Sequence, residues 1–104
     1  MKIIEINNIV GHLGKNKVEN HSLVNEMGPD DTWFHLENSP GPHLVVKSST
    51  LTKNQVYRFA LEVKKNSIKN KKNCVYVMYA QGKHVTPTLE IGKVNVEKYK
   101  VIKV

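Results

Sequence analysis

Between Asp30 and Val46 the sequence DDTWFHLENSPGPHLVV gathers two carboxylates, Asp30 and Asp31, two imidazoles, His35 and His43, and the chain's one tryptophan, Trp33. Such carboxylates and imidazoles are acceptable ligands for a divalent cation. A metal site built on Asp31, His35 and His43 would act as a nuclease or phosphoesterase. Neither HxH nor HExxH spacing accompanies them, and paired Asp residues on a loop more often cap or turn the chain. The same imidazoles beside an indole also make a polar, aromatic platform for an unstacked base or a phosphate. A cationic imidazole near neutral pH would then tighten phosphate binding as the pH falls. The structural use of these residues is a His bonded within a sheet, a His fixing a Pro-Gly turn, and a Trp in the core. No P-loop, Gly-rich dinucleotide motif or Ser/Cys nucleophile constellation is present, so the sequence points away from nucleotide hydrolysis and covalent catalysis. The expectation is a non-enzymatic protein with no metal and no cofactor.

The second chemical resource is charge. Sixteen Lys and Arg against nine Asp and Glu leave a formal net charge of +7, and all but Arg58 of the cations are lysines. A surplus of this size attracts polyanions, nucleic acid first, with an acidic protein or an anionic membrane surface as rivals. Lysine meets a phosphate as a point charge and seldom reads a base edge, so backbone and shape recognition is expected. Lys64, Lys65, Lys69, Lys71 and Lys72 crowd nine residues, and Lys15, Asn16 and Lys17 follow Gly14 on a polar loop. Lysines ending a helix complement its dipole, and a solvated basic face needs no ligand, but five exceed what capping requires.

The elements that must carry these groups follow from periodicity. TWFHLE and HLVV alternate on either side of Asn-Ser-Pro-Gly-Pro, which predicts a hairpin. Phe34, Leu36, Leu44 and Val46 then share one face, and Trp33, His35, His43 and Val45 the other. Met1–Ile6 and Ile9–Leu13 read as short strands about an Asn7-Asn8 turn. Asn20–Met27 reads as a short helix capped by Asn20 and ended by Gly28-Pro29. Thr52 to about Ile68 reads as the long helix, with Thr52 and Gln55 at capping-box spacing, Leu51 and Val56 as a staple, and Val56, Phe59, Ala60 and Val63 facing inward. Cys74–Ala80 is apolar on both faces, as in a covered central strand, with Cys74 a small buried hydrophobe. Gln81–Pro87 reads as a loop. Gly92–Val96 and Tyr99–Val104 alternate, with a change of phase near Glu97-Lys98. Strands clustered on either side of one long helix predict an α+β fold with a mostly antiparallel sheet in a single domain, residues 1–104.

With these elements placed, the chain resembles the NFACT-R domain, the RNA-binding module of the NFACT proteins, which act on stalled large ribosomal subunits in ribosome quality control. The block Asp31, Trp33-Phe34-His35, Pro40-Gly41 and His43 carries the resemblance. Gly14-Lys15-Asn16, Glu19-Asn20, Leu23, Ala60, Ser67, Val75, Val77, Tyr79 and Gly92 support it. The chain is most similar to short members that carry this domain near the N-terminus. It departs from the family pattern at His21, usually Asp, at Lys15, usually Arg, and at Thr86-Pro87-Thr88, where many relatives are Lys-rich. The further domains of full-length members are absent from these 104 residues, so their part in holding charged tRNA and extending a stalled peptide is not implied. What the resemblance implies is RNA binding, to tRNA or rRNA and in the setting of a large ribosomal subunit, with DNA as an alternative polyanion. Lys15, Asn16, Lys17, His35, His43, Lys64, Lys65, Lys69, Lys71 and Lys72 are the expected contacts. A single cysteine and no apolar run of the roughly 20 residues a membrane span needs suggest a cytoplasmic setting. Nothing in the pattern sets an oligomeric state.

Overall fold

The computed structural model describes residues 1–67 and 74–104. Eight strands appear among them: β1 (Lys2–Ile6), β2 (Ile9–Leu13), β3 (Thr32–Leu36), β4 (Leu44–Val46), β5 (Tyr76–Gln81), β6 (Val85–Pro87), β7 (Val94–Val96) and β8 (Lys100–Lys103). Two α-helices, α1 (Lys17–Glu26) and α2 (Lys53–Lys65), complete an α+β fold. Six strands form one sheet in the order β1-β2-β4-β3-β5-β8, and β6 with β7 forms a small separate hairpin. Every described pairing is antiparallel.

The sheet is covered on both faces because its strands alternate. Phe34, Leu36, Leu44, Val46 and Val77 are fully buried on one face against Phe59, Ala60 and Val63 of α2. Thr52 and Gln55 exchange the two hydrogen bonds of a capping box at the start of α2, as their spacing predicts. Its last turn closes at Lys65, short of Ile68, where both the amide and the side chain of Asn66 donate to the Glu62 carbonyl. Ile68 itself lies outside the described residues. On the other face Trp33, Val45 and Ala80 pack beneath Leu23 and Val24 of α1 and Val85 of the small hairpin.

Besides the earlier end of α2, three elements differ from expectation. Asn16, not Asn20, caps α1, its side chain accepting the Glu19 amide at 2.9 Å, so the helix begins at Lys17. Strand β5 begins at Tyr76, and Cys74 is exposed rather than a buried hydrophobe. Gln81–Pro87 is not a plain loop: a 3-10 turn at Gly82–His84 leads into β6. The change of phase at Glu97-Lys98 is the point where the chain leaves the small hairpin and joins the main sheet as edge strand β8. The Asn7-Asn8 turn is as expected, with φ of 52° and 65°, the left-handed geometry that asparagine tolerates.

Candidate nucleic-acid interface

The β3–β4 hairpin places both imidazoles and the indole on the α1 face, as alternation requires. Trp33 Nε1 donates to His43 Nδ1 at 3.1 Å, so the His43 proton sits on Nε2. His35 stacks on Trp33 with ring centroids 5.7 Å apart and planes 10° from parallel. The two imidazoles meet edge to face at 4.6 Å. Trp33 is 1% exposed and His43 4% exposed, while His35 is half-buried. An indole so enclosed is core and cannot stack on a base, which corrects half of the platform reading.

The imidazoles are also not cations near neutral pH. Burial pushes His43 down to about 3, and the neighbouring His35 adds to the effect. Burial likewise lowers His35, opposed by hydrogen bonds with the Leu36 and Gly41 backbones. The expected gain in phosphate affinity through imidazolium formation near neutral pH is therefore not available to these two residues.

Asn20 explains why the histidines are held so firmly. Freed from capping, its buried Oδ1 accepts the His43 amide at 3.1 Å and ties α1 to the start of β4. The Gly14 amide donates to the His43 carbonyl at 3.0 Å from the other side. A side chain at position 14 would collide with the Asn20 carboxamide, so only glycine lets the loop pass.

Around this cluster opens a cleft of about 710 Å³, with Trp33, His35 and His43 among its lining residues. Lys15, Asn16 and Lys17, at the N-terminal end of α1, form one rim, and Gly92 and Lys93, in the connection between β6 and β7, form another. Gly92 has φ of +86°, and a Cβ there would lie within 3.5 Å of the Lys17 Cα, Cβ and Cγ, so the two rims touch. Lys15 and Lys17 have no ion-pair partner among the described residues, whereas Lys93 reaches Glu90 at 3.4 Å. The Asn16 side-chain oxygen is spent on the helix cap. Beside it the Lys15 amide donates to Glu19, and that hydrogen bond, with help from the Met1 amine, holds the Glu19 carboxyl below its usual range.

The structure thus brings Lys15, Asn16, Lys17, His35 and His43 together. Lys64 and Lys65 do not line the cleft: the Lys64 ammonium donates to the Val104 carbonyl at 3.3 Å, and Lys65 pairs with Glu62 at 3.5 Å. Lys69, Lys71 and Lys72 lie outside the described residues. Asn66, just past α2 on the cleft wall, and Lys93 were not singled out in the sequence, whereas Ser67 and Gly92 carried a signal through the family resemblance.

Asp31 is not part of the cluster. Its Oδ2 accepts the Gly28 amide at 2.9 Å and pairs with Lys47 at 2.9 Å. It stands at the far end of β3 from His35, four residues and so about 13 Å along an extended strand. A site uniting Asp31 with His35 and His43 is therefore not assembled. Among the described residues no group of three or more His, Cys, Asp or Glu side chains could hold a metal ion. Nor is any described helix long and apolar enough to cross a membrane.

Comparison with known proteins meets this geometry. The family described as the NFACT protein RNA binding domain, NFACT-R, matches residues 3–98. The chain belongs to that family. Curated relatives include coiled-coil domain-containing protein 25 of Bos taurus and of Mus musculus, each 28% identical over 102 residues, covering 89% of this chain and 49% of the relative. The chain therefore spans about half the length of these relatives. Among solved structures, the C-terminal part of the fibronectin/fibrinogen-binding protein from Streptococcus suis superposes with a TM-score of 0.86 at 21% identity, over 98% of this chain and 43% of that one. That likeness establishes the shared fold. Trp33, His35 and His43 of the block that carried the resemblance build the indole–imidazole cluster, and family membership makes nucleic-acid binding the role of the fold.

Proposed function

We propose that residues 1–104 act as one NFACT-R domain that binds structured RNA, tRNA or rRNA, without catalysing a reaction. The observation that carries this reading is the placement of Lys15 and Lys17, neither in an ion pair among the described residues, at the mouth of a cleft lined by Trp33, His35, Pro40, Gly41 and His43 of the signature block. Lys15 and Lys17 contact phosphates, the free donors of Asn16 and the α1 N-terminus assist them, and half-buried His35 offers a neutral ring surface to a base at the cleft floor. His43 positions His35 and Trp33 rather than carrying charge. Lys64 and Lys65 extend the basic surface from α2, and the sequence continues after Ser67 with Lys69, Lys71 and Lys72. The family points to a large ribosomal subunit in cytoplasmic quality control as the setting.

Fluorescence anisotropy with tRNA and with duplex DNA of matched length, at several salt concentrations, tests this. Four to six phosphate contacts predict a log–log salt slope of about −3 to −5. The K15E/K17E variant should weaken tRNA binding and flatten that slope by roughly 1.5 to 2. Unchanged affinity and slope in that variant would remove the cleft from the interface. Duplex DNA bound more tightly than tRNA would replace RNA as the partner. RNA cleavage abolished by His43→Ala would overturn the non-catalytic reading.

A further inference from the structure

A second cleft, of about 870 Å³, lies at the other end of α2 and of β3 and shares no lining residue with the first. Lys53 and Val56, from the first turn of α2, line one side. Lys98, Tyr99 and Lys100, from edge strand β8 and the turn before it, line the other. Tyr79 also lines it, and Tyr79 and Lys100 are direct partners across β5 and β8, so their side chains stand on the same face of the sheet.

Three features of this cleft point to a ligand. No carboxylate lines it, and among the described residues Lys53, Lys98 and Lys100 have no ion-pair partner. The described ammonium groups that do have a carboxylate partner, the Met1 amine, Lys47, Lys65 and Lys93, all lie outside this cleft. The second feature is aromatic. Tyr99 is 49% exposed at the cleft, and Tyr79, braced by Phe34 with ring centroids 5.7 Å apart, has no hydrogen bond to its hydroxyl among the described residues. The third is access. β8 is an edge strand, so the cleft opens sideways and an extended chain can enter it.

Three uncompensated ammonium groups around exposed aromatic surface are the combination that holds single-stranded nucleic acid, where phosphates meet the cations and bases stack on the rings. An acidic peptide would satisfy the lysines but leave the tyrosine rings without a planar partner. The volume falls within the roughly 300–1,000 Å³ typical of small-ligand sites, appropriate to a nucleotide rather than a duplex.

We propose that this second cleft binds an unpaired nucleotide segment of the RNA, with Tyr99 stacked on a base and Lys53, Lys98 and Lys100 on its flanking phosphates. This rests on the reading that the chain binds RNA. The molecule measures 33 × 29 × 25 Å, so one RNA can reach both clefts. The first cleft then grips structured RNA and the second selects for an adjoining single strand.

The test compares two labelled RNA probes against the full chain by anisotropy: a blunt stem-loop, and the same stem-loop with a short single-stranded 3′ overhang. Wild type should bind the overhang probe about tenfold more tightly, within the range for one base–aromatic stack. The K98E/K100E and Y99A variants should lose that gain and bind the blunt stem as wild type does, whereas Y99F should keep it. Equal binding of both probes by wild type, or a gain that survives K98E/K100E, overturns the proposal. A polyglutamate peptide that binds wild type as tightly as the overhang probe, with Y99A affecting neither, overturns it in favour of an acidic protein. Failure of the RNA reading itself is separately visible, because the blunt stem would then not bind wild type at low salt, and the second-cleft proposal would fall with it.

Discussion

Acidification should destabilise this protein through His43. The folded chain holds that imidazole neutral down to a pH of about 3, because it is buried and lies beside His35. The unfolded chain protonates it near pH 6.5. Between those values the unfolded state binds the extra proton, so stability is complete above about pH 6.5 and declines as the pH falls through the window. At about 1.4 kcal/mol per pH unit, moving from pH 7.5 to 5 costs about 2 kcal/mol from His43. Between pH 7.5 and 5 ordinary carboxylates stay largely ionised, so this part of the window reports the imidazoles, and the depressed His35 adds in the same direction. Trp33 is the only tryptophan and is buried, so its emission reports unfolding directly. With a urea m-value of about 1–2 kcal/mol/M for a chain of this size, the midpoint should fall by about 1–2 M between pH 7.5 and pH 5. The His43→Gln variant should be less stable at pH 7.5 and lose most of that pH dependence. A wild-type midpoint indifferent to pH, or one whose dependence His43→Gln leaves intact, refutes the buried neutral imidazole.

Other outcomes follow from single contacts. Asn20→Ala removes the buried acceptor of the His43 amide and should cost about 1–3 kcal/mol in urea unfolding, more than the roughly 1 kcal/mol expected for loss of the Asn16 cap in Asn16→Ala. The reverse order would restore Asn20 as the cap. Phe59→Ala should cost about 3–5 kcal/mol, since the ring is fully buried between α2 and the sheet. Thr52→Ala should cost about 1 kcal/mol by breaking the capping box, with tRNA affinity unchanged at a temperature where the variant stays folded. Gly14→Ala should lower thermal stability and loosen the cleft together, read as a weaker salt-dependent tRNA affinity, because the added methyl strikes Asn20.

How much of this was legible in the sequence depends on how local each feature is. The alternation of TWFHLE and HLVV placed Phe34, Leu36, Leu44 and Val46 on one face and the indole and imidazoles on the other, and the folded hairpin keeps that division. The Thr52–Gln55 capping box and the Asn7-Asn8 turn were readable because their partners lie within a few residues. Asn20 was misread because both asparagines can cap a helix, and Asn16 wins through the Glu19 amide three residues on. Cys74 was misplaced because an apolar run does not show where pairing begins, and here it begins with the Val75–Val104 backbone pair, one residue later.

The sequence by itself determined the layers, the charge surplus and the family's signature block, since these rest on periodicity, composition and short spacing. Only the tertiary structure decided which charges meet. It brought Lys15 and Lys17 over the imidazoles by docking α1 through Asn20, separated Asp31 from them by the length of β3, and gathered Lys53 with Lys98 and Lys100 across 45 residues of chain. The physical reason is that antiparallel pairing and helix docking join positions remote in sequence, whereas local pattern fixes only the side of an element on which each residue lies.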